Sequence, residues 1–183
     1  MANKRFRPAL AISTLLMMVL GMAFLGACAS AKYTVMQEPP KPDNRSAVVY
    51  IYGSSSTKAE VWDGEKPVGT FDGGPWSAIG CMPWRATPGS HTFVAKSSNT
   101  VHTTMNLQAN RSYYIEVHTV PSPPFTTLII MRELNQDQET AFRKRYKIKN
   151  MSFSDEWRKD FLAYQNGKRL KEVQAYLQKI KNS

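Results

Sequence analysis

The chain has 183 residues, of which 42% are hydrophobic, and a formal charge of +10. That length gives room for one domain, and the apolar content excludes a chain disordered throughout. The charge is uneven: from Arg132 onward thirteen Lys and Arg stand against seven Asp and Glu, while Cys28 to Met131 is close to neutral, so an anionic partner is drawn to the C-terminal part.

Lys4, Arg5 and Arg7 precede an apolar run from Pro8 to Leu25, nearly long enough to span a bilayer as an uncleaved anchor helix. The run ends in Leu25-Gly26-Ala27-Cys28. An aliphatic residue, two small residues and a cysteine, placed after basic and apolar regions, resemble the lipobox of bacterial lipoproteins. Small side chains there admit the backbone to a signal peptidase, and the thiol accepts a diacylglycerol. The resemblance implies a lipoprotein signal peptide over residues 1–27, a mature chain starting at Cys28, and a covalent lipid on Cys28. It also implies a membrane-anchored protein, because two or more acyl chains hold stably where one does not. Ala29 follows the cysteine, and if the envelope is Gram-negative this implies the outer membrane, facing the periplasm. No nucleic acid partner is expected of such a protein, and no aromatic–basic stacking platform is seen. Cys81 is then the one remaining thiol, with no internal disulfide, and reads as a small buried strand residue.

Residues 28–45 have the composition of a Pro-rich tether, with Glu38-Pro39-Pro40-Lys41-Pro42-Asp43 blocking both helix and central strand. Short β-rich runs follow, each bounded by turn residues. They are Ala47 to Tyr52, Lys58 to Trp62, Pro67 to Phe71, Trp76 to Cys81, Ser90 to Lys96, Thr100 to Leu107, Ser112 to Val120 and Thr126 to Leu134. Asp63-Gly64 between the second and third is a hairpin signal. The pattern predicts a mainly β fold, a small antiparallel β-sandwich of about seven or eight strands over residues 46–134. Val48 to Tyr52, Val61-Trp62-Asp63-Gly64 with Pro67-Val68-Gly69, Pro88-Gly89-Ser90-His91 and Asn110-Arg111-Ser112-Tyr113-Tyr114-Ile115 occur in that order. This series resembles the PEGA-like, prealbumin-like β-sandwich domain of bacterial lipoproteins. The resemblance implies a fold and no catalytic residue. Asn110-Arg111-Ser112 departs from the usual Gly-Lys before the Tyr pair, but Asn110 suits a left-handed turn.

After Leu134 the period becomes helical, giving a basic helical extension over residues 135–183. Helices are predicted for Gln136 to Ile148, Ser154 to Gln165 and Lys168 to Lys181. In the last, Leu170, Val173, Leu177 and Ile180 share one face, and Lys168, Lys171, Lys179 and Lys181 lie mostly away from it. Such a helix can lie on an anionic surface. The strands favour the other reading, in which the C-terminal helices pack on or beside the sandwich and the stripe covers a sheet, because Ala47 to Tyr52 and Thr126 to Leu134 are apolar on both faces and need a cover.

Two histidines invite a metal-site reading. If Thr100 to Leu107 paired with Ser112 to Val120, matching their apolar faces would bring His102, Glu116 and His118 together on the polar face, a ligand set for zinc or copper. Polar surface is the plainer reading. His91 beside the Pro-Gly turn reads as structural. No Gly-x-Ser-x-Gly, phosphate-binding Gly loop or His-Glu-x-x-His occurs, so no enzyme and no cofactor beyond the lipid are expected. Trp62, Trp76 and Trp84 either fill the core or line a groove. The sequence predicts a non-enzymatic envelope module that presents its sandwich to an envelope protein or to the cell wall. The alternative is a binder of anionic lipid or polysaccharide through the basic helices.

Overall fold

Ala47–Gly53 is buried at every position, as its apolar residues on both faces require. In a computed structural model, which describes residues 33–54, 56–72, 79–123 and 126–183, this segment (β2) is a central strand. The segment expected to be a signal peptide, Cys28 and Trp76 lie outside the described residues. In chain order the other strands are β1 (Thr34–Met36), β3 (Lys58–Asp63), β4 (Lys66–Asp72), β5 (Ile79–Ala86), β6 (Gly89–Lys96), β7 (Thr100–Leu107), β8 (Ser112–Ser122), β9 (Thr126–Leu134) and β10 (Ile148–Ser152). The helices are α1 (Gln136–Arg145), α2 (Asp155–Ala163) and α3 (Lys168–Lys181), with a 3-10 turn at Tyr164–Gly167 before the last.

The strands form two sheets, one in the order β1-β10-β5-β2-β8-β9 and one in the order β4-β3-β6-β7. Alternation along each strand sends Val49, Ile51, Met82, Ile115 and Val117 inward from the first sheet, against Val61, Phe93 and Ala95 of the second. The protein is therefore a mainly β sandwich with helices after it. Asp63-Gly64 closes the β3–β4 hairpin with Gly64 at φ 56°, and Asn110 takes the left-handed turn at φ 60°. Gly69 has a packing reason: a Cβ there would overlap the Phe153 ring and the Met82 sulfur.

Several expectations need correction. The eight strands expected over residues 46–134 are present as β2 to β9, but β1 and β10 add to them from outside that range, and the larger sheet is mixed, because β2 pairs parallel with β8 and β5 with β10. Residues 33–45 are not a free tether: β1 pairs with β10, the Pro40 carbonyl accepts from Tyr50 Oη at 2.8 Å, and the Lys41 carbonyl accepts from Arg85 at 3.0 Å. The strand expected from Trp76 to Cys81 is described from Ile79 and runs to Ala86. The first predicted helix stops at Arg145, and Ile148, assigned to its end, starts β10. β9 is an edge strand rather than one buried on both sides, with Leu128 36% and Ile130 39% exposed.

Each sheet's outer face is covered by helix. α1 carries Phe142 onto Val48, Tyr52 and Cys81 of the six-stranded sheet. Asn135 begins it with a reciprocal capping box to Gln138. α2 and α3 cover the four-stranded sheet, where Phe161, Leu170, Val173 and Leu177 meet Trp62 and Val94. The stripe on α3 is thus spent on packing, and its lysines form the outer face.

Candidate functional site

A cleft opens where β5, the N-terminal segment and the start of α2 meet. Its volume is about 370 Å³, and its walls include Met36, Pro40, Trp84, Arg85, Phe153 and Arg158. Strand alternation puts Trp84 on the inner side of β5 and Arg85 on the outer. Trp84 is fixed by its indole: Nε1 donates to Asp63 Oδ2 at 2.8 Å, and both Asp63 oxygens lie 2.9 Å from His91 Nδ1. His91 Nε2 in turn lies 2.9 Å from the Thr87 carbonyl. The hairpin residue Asp63 therefore ties two strands together, and His91 is structural, as its place after the Pro-Gly turn suggested.

Arg158 closes the cleft from the helix side. Its guanidinium lies 5.2 Å from the centre of the Trp84 ring, its Nε donates to the Pro67 carbonyl at 3.1 Å, and Asp155 accepts from it at 2.9 Å. α2 starts there because Ser154 accepts from the Trp157 N–H at 3.1 Å. On the other wall Arg85 pairs with Asp43 and donates to Ser46 Oγ at 2.7 Å. The Asp43 carboxyl is held down to about 2, first by the Arg45 backbone N–H, then by the Ser46 hydroxyl and Arg85. An aromatic ring, fixed guanidinium groups and proline edges offer stacking, cationic and hydrogen-bonding contacts, the chemistry of a binding surface.

The proposed metal ligands are not brought together. β7 pairs with β6 and β8 with β2 and β9, so His102 is in the four-stranded sheet and Glu116 and His118 are in the other. The turn at residues 108–111 carries the chain across the sandwich instead of folding it back as a hairpin. His102 Nδ1 lies 3.0 Å from Tyr176 Oη on α3. Glu116 accepts from Arg132 Nε at 2.6 Å, and His118 Nδ1 is 3.7 Å from the other Glu116 oxygen. Among the described residues no group of three or more His, Cys, Asp or Glu is placed to hold a metal ion. Of the tryptophans, Trp62 is core and Trp84 lines the cleft. Lys168, Lys171, Lys179 and Lys181 are all exposed.

A polar cluster lies under α1 with Tyr52 and Glu139 buried and Arg143 at its outer edge, and no motif announces it. Tyr52 Oη donates to Glu139 Oε1 at 2.8 Å and accepts from Arg143 at 2.8 Å, and Arg143 also pairs with Glu139. Glu139 at i and Arg143 at i+4 on one helix face were the available signal. What the sequence hides is that this face is turned toward the sheet. Burial pushes the neighbouring Cys81 thiol up to about 12, and burial followed by Cys81 and Glu139 raises the Tyr52 phenol above its usual range. Cys81 is thus a free thiol buried in β5. The tail's charge, taken as a whole, also conceals its densest part: Arg143 to Lys149 has five basic residues in seven.

The fold defines a β-sandwich covered by its own helices, with a cleft at one end of β5. No protein family, curated protein or solved structure matches the chain.

Proposed function

We propose that the chain is a lipid-anchored protein of the bacterial envelope, a non-enzymatic module that presents its sandwich to another envelope component. The observation that carries the reading is the cleft. Its aromatic, proline and guanidinium groups suit a peptide or wall-polymer segment, and helices already occupy both sheet faces. The order of basic region, apolar run and Leu25-Gly26-Ala27-Cys28 supports the anchor. The Asp63-Gly64 hairpin and the left-handed Asn110 support kinship with PEGA-like domains, which stays part of the proposal. In a Gram-negative cell the position proposed is the outer membrane, facing the periplasm.

A second reading has the exposed Lys168, Lys171, Lys179 and Lys181 of α3 bind anionic lipid or polysaccharide. The two separate in one experiment: a photocrosslinking residue is placed at Asp155, whose side chain is 94% exposed beside the cleft, or at Lys171 on α3. One stoichiometric protein or glycan adduct from position 155 is the expected result. Adducts from position 171 alone, lost in high salt, would replace the first reading with the second.

A further inference from the structure

We propose that the domain meets the membrane through the β1–β10 edge and the last turn of α1, with Lys144, Arg145 and Lys147 against anionic phospholipid headgroups. The inference rests on acylation of Cys28 and adds to it the face that the anchor imposes.

The first argument is the length of the link. Five peptide units separate Cys28 from Tyr33, so an extended chain puts Tyr33 within about 18 Å of the acylated residue. Tyr33 is itself pinned. Its hydroxyl accepts from Lys149 Nζ at 2.8 Å, its ring lies 6.1 Å from that of Phe153, and Thr34 pairs with Ser152. The short link therefore ends on β1 and its partner β10, and this edge of the domain is the part held near the bilayer.

The second argument is the chemistry of that edge. Arg143-Lys144-Arg145-Tyr146-Lys147-Ile148-Lys149 runs from the last turn of α1 into β10 without an acidic residue. Arg143 is committed to Glu139 and Lys149 to Tyr33, while Lys144, Arg145 and Lys147 are exposed. Tyr146 is 39% exposed with the Arg145 guanidinium 5.6 Å from its ring, and Val35 in β1 is 53% exposed. Cations beside an exposed tyrosine and an aliphatic side chain match the layered chemistry of a headgroup region. α1 covers the six-stranded sheet and α3 the four-stranded one. Their basic groups therefore point from opposite faces, and a flat bilayer engages one or the other.

The test uses the full-length acylated protein in vesicles of phosphatidylethanolamine with phosphatidylglycerol. A fluorophore is attached at Lys147→Cys or at Lys171→Cys, leaving the buried Cys81 in place, and quenched by spin-labelled lipid. Several-fold stronger quenching at position 147 is expected. That excess should shrink in vesicles of phosphatidylcholine alone to what the short link imposes by itself, and an excess unchanged by the loss of anionic lipid overturns the headgroup contact. With the probe moved to Val35→Cys, the Lys144→Glu/Arg145→Glu pair should likewise weaken quenching several-fold, with the far-ultraviolet circular dichroism unchanged. Equal quenching at the two lysine positions, or stronger quenching at 171, overturns the inference while the anchor stands. Mass spectrometry of the same sample reads Cys28, and an unmodified cysteine overturns both.

Discussion

Helix α1 lies on the six-stranded sheet and α3 on the four-stranded sheet, and the chemistry beneath them differs. Under α2 and α3 the centre of the contact is apolar, with Phe161 and Val173 against Trp62 and Val94, and polar pairs flank it: Arg169 with Glu60, Glu172 with Lys96 and Tyr176 with His102. Under α1 an apolar patch that includes Val48, Cys81 and Phe142 surrounds the Tyr52–Glu139–Arg143 cluster. An apolar stripe gives most of its energy in any nearby register, whereas three mutually bonded polar groups accept one position. The first cover has burial at its centre and polar pairs around it; the second has its polar groups at the centre.

The largest way to break this comparison is to cut a hole under α2 and α3. Phe161→Ala removes a ring whose centre lies 5.5 Å from that of Trp62 and should cost about 3 kcal/mol or more in urea unfolding. On the other side, Glu139→Gln removes the buried charge that Tyr52 and the half-exposed Arg143 both bond and should cost about 2 kcal/mol, with Tyr52→Phe costing about 1. A double-mutant cycle between positions 52 and 139 should return a coupling of at least about 0.5 kcal/mol. Additive losses would mean that alignment is not a shared property of the cluster.

Cys81 sharpens the same contrast, since it is buried under α1 and not under α3. Its alkylation at pH 8 should be slower than that of a free thiol by on the order of a thousandfold. Glu139→Gln should accelerate the reaction, and Val173→Ala should do so only in proportion to its global loss of stability. Equal acceleration by the two variants at equal stability would show that both covers open as one unit.

The smallest effect concerns the N-terminal segment, which neither helix covers. Asp43 is held near 2 in the folded protein against an ordinary 3.8. A depressed carboxyl contributes stability above its unfolded value, and that contribution is lost as pH falls through the folded one. The gap in melting temperature between the protein and Asp43→Asn should be constant above pH 5 and should close between about 4 and 2. A gap that persists at pH 2 would trace to packing and not to ionisation.

What was legible in the sequence depended on local signals. Lys168–Lys181 begins and ends where its periodicity predicts, because four apolar residues at helical spacing outweigh the lysines. Ala47 to Tyr52 announced burial on both faces, and Asp63-Gly64 announced its hairpin. β10 was hidden because a short, polar strand has little periodicity of its own and pairs with β5 some seventy residues away. β1 was masked by the prolines that follow it. The metal-site reading failed on one assumption, that consecutive strands are neighbours; β8 lies beside β2 instead, a choice made by tertiary packing that no spacing records. The cleft shares that limit, since Trp84 and Arg158 meet only because α2 returns to β5.

The pairing of β1 with β10 also sets an order in time. Thr34 is among the first described residues to leave a ribosome, and its partner Ser152 follows more than a hundred residues later. At ordinary synthesis rates that is a wait of roughly 6 to 24 seconds. Through that interval β1 waits without its partner, and the outer edge of the six-stranded sheet is the last part of it to close.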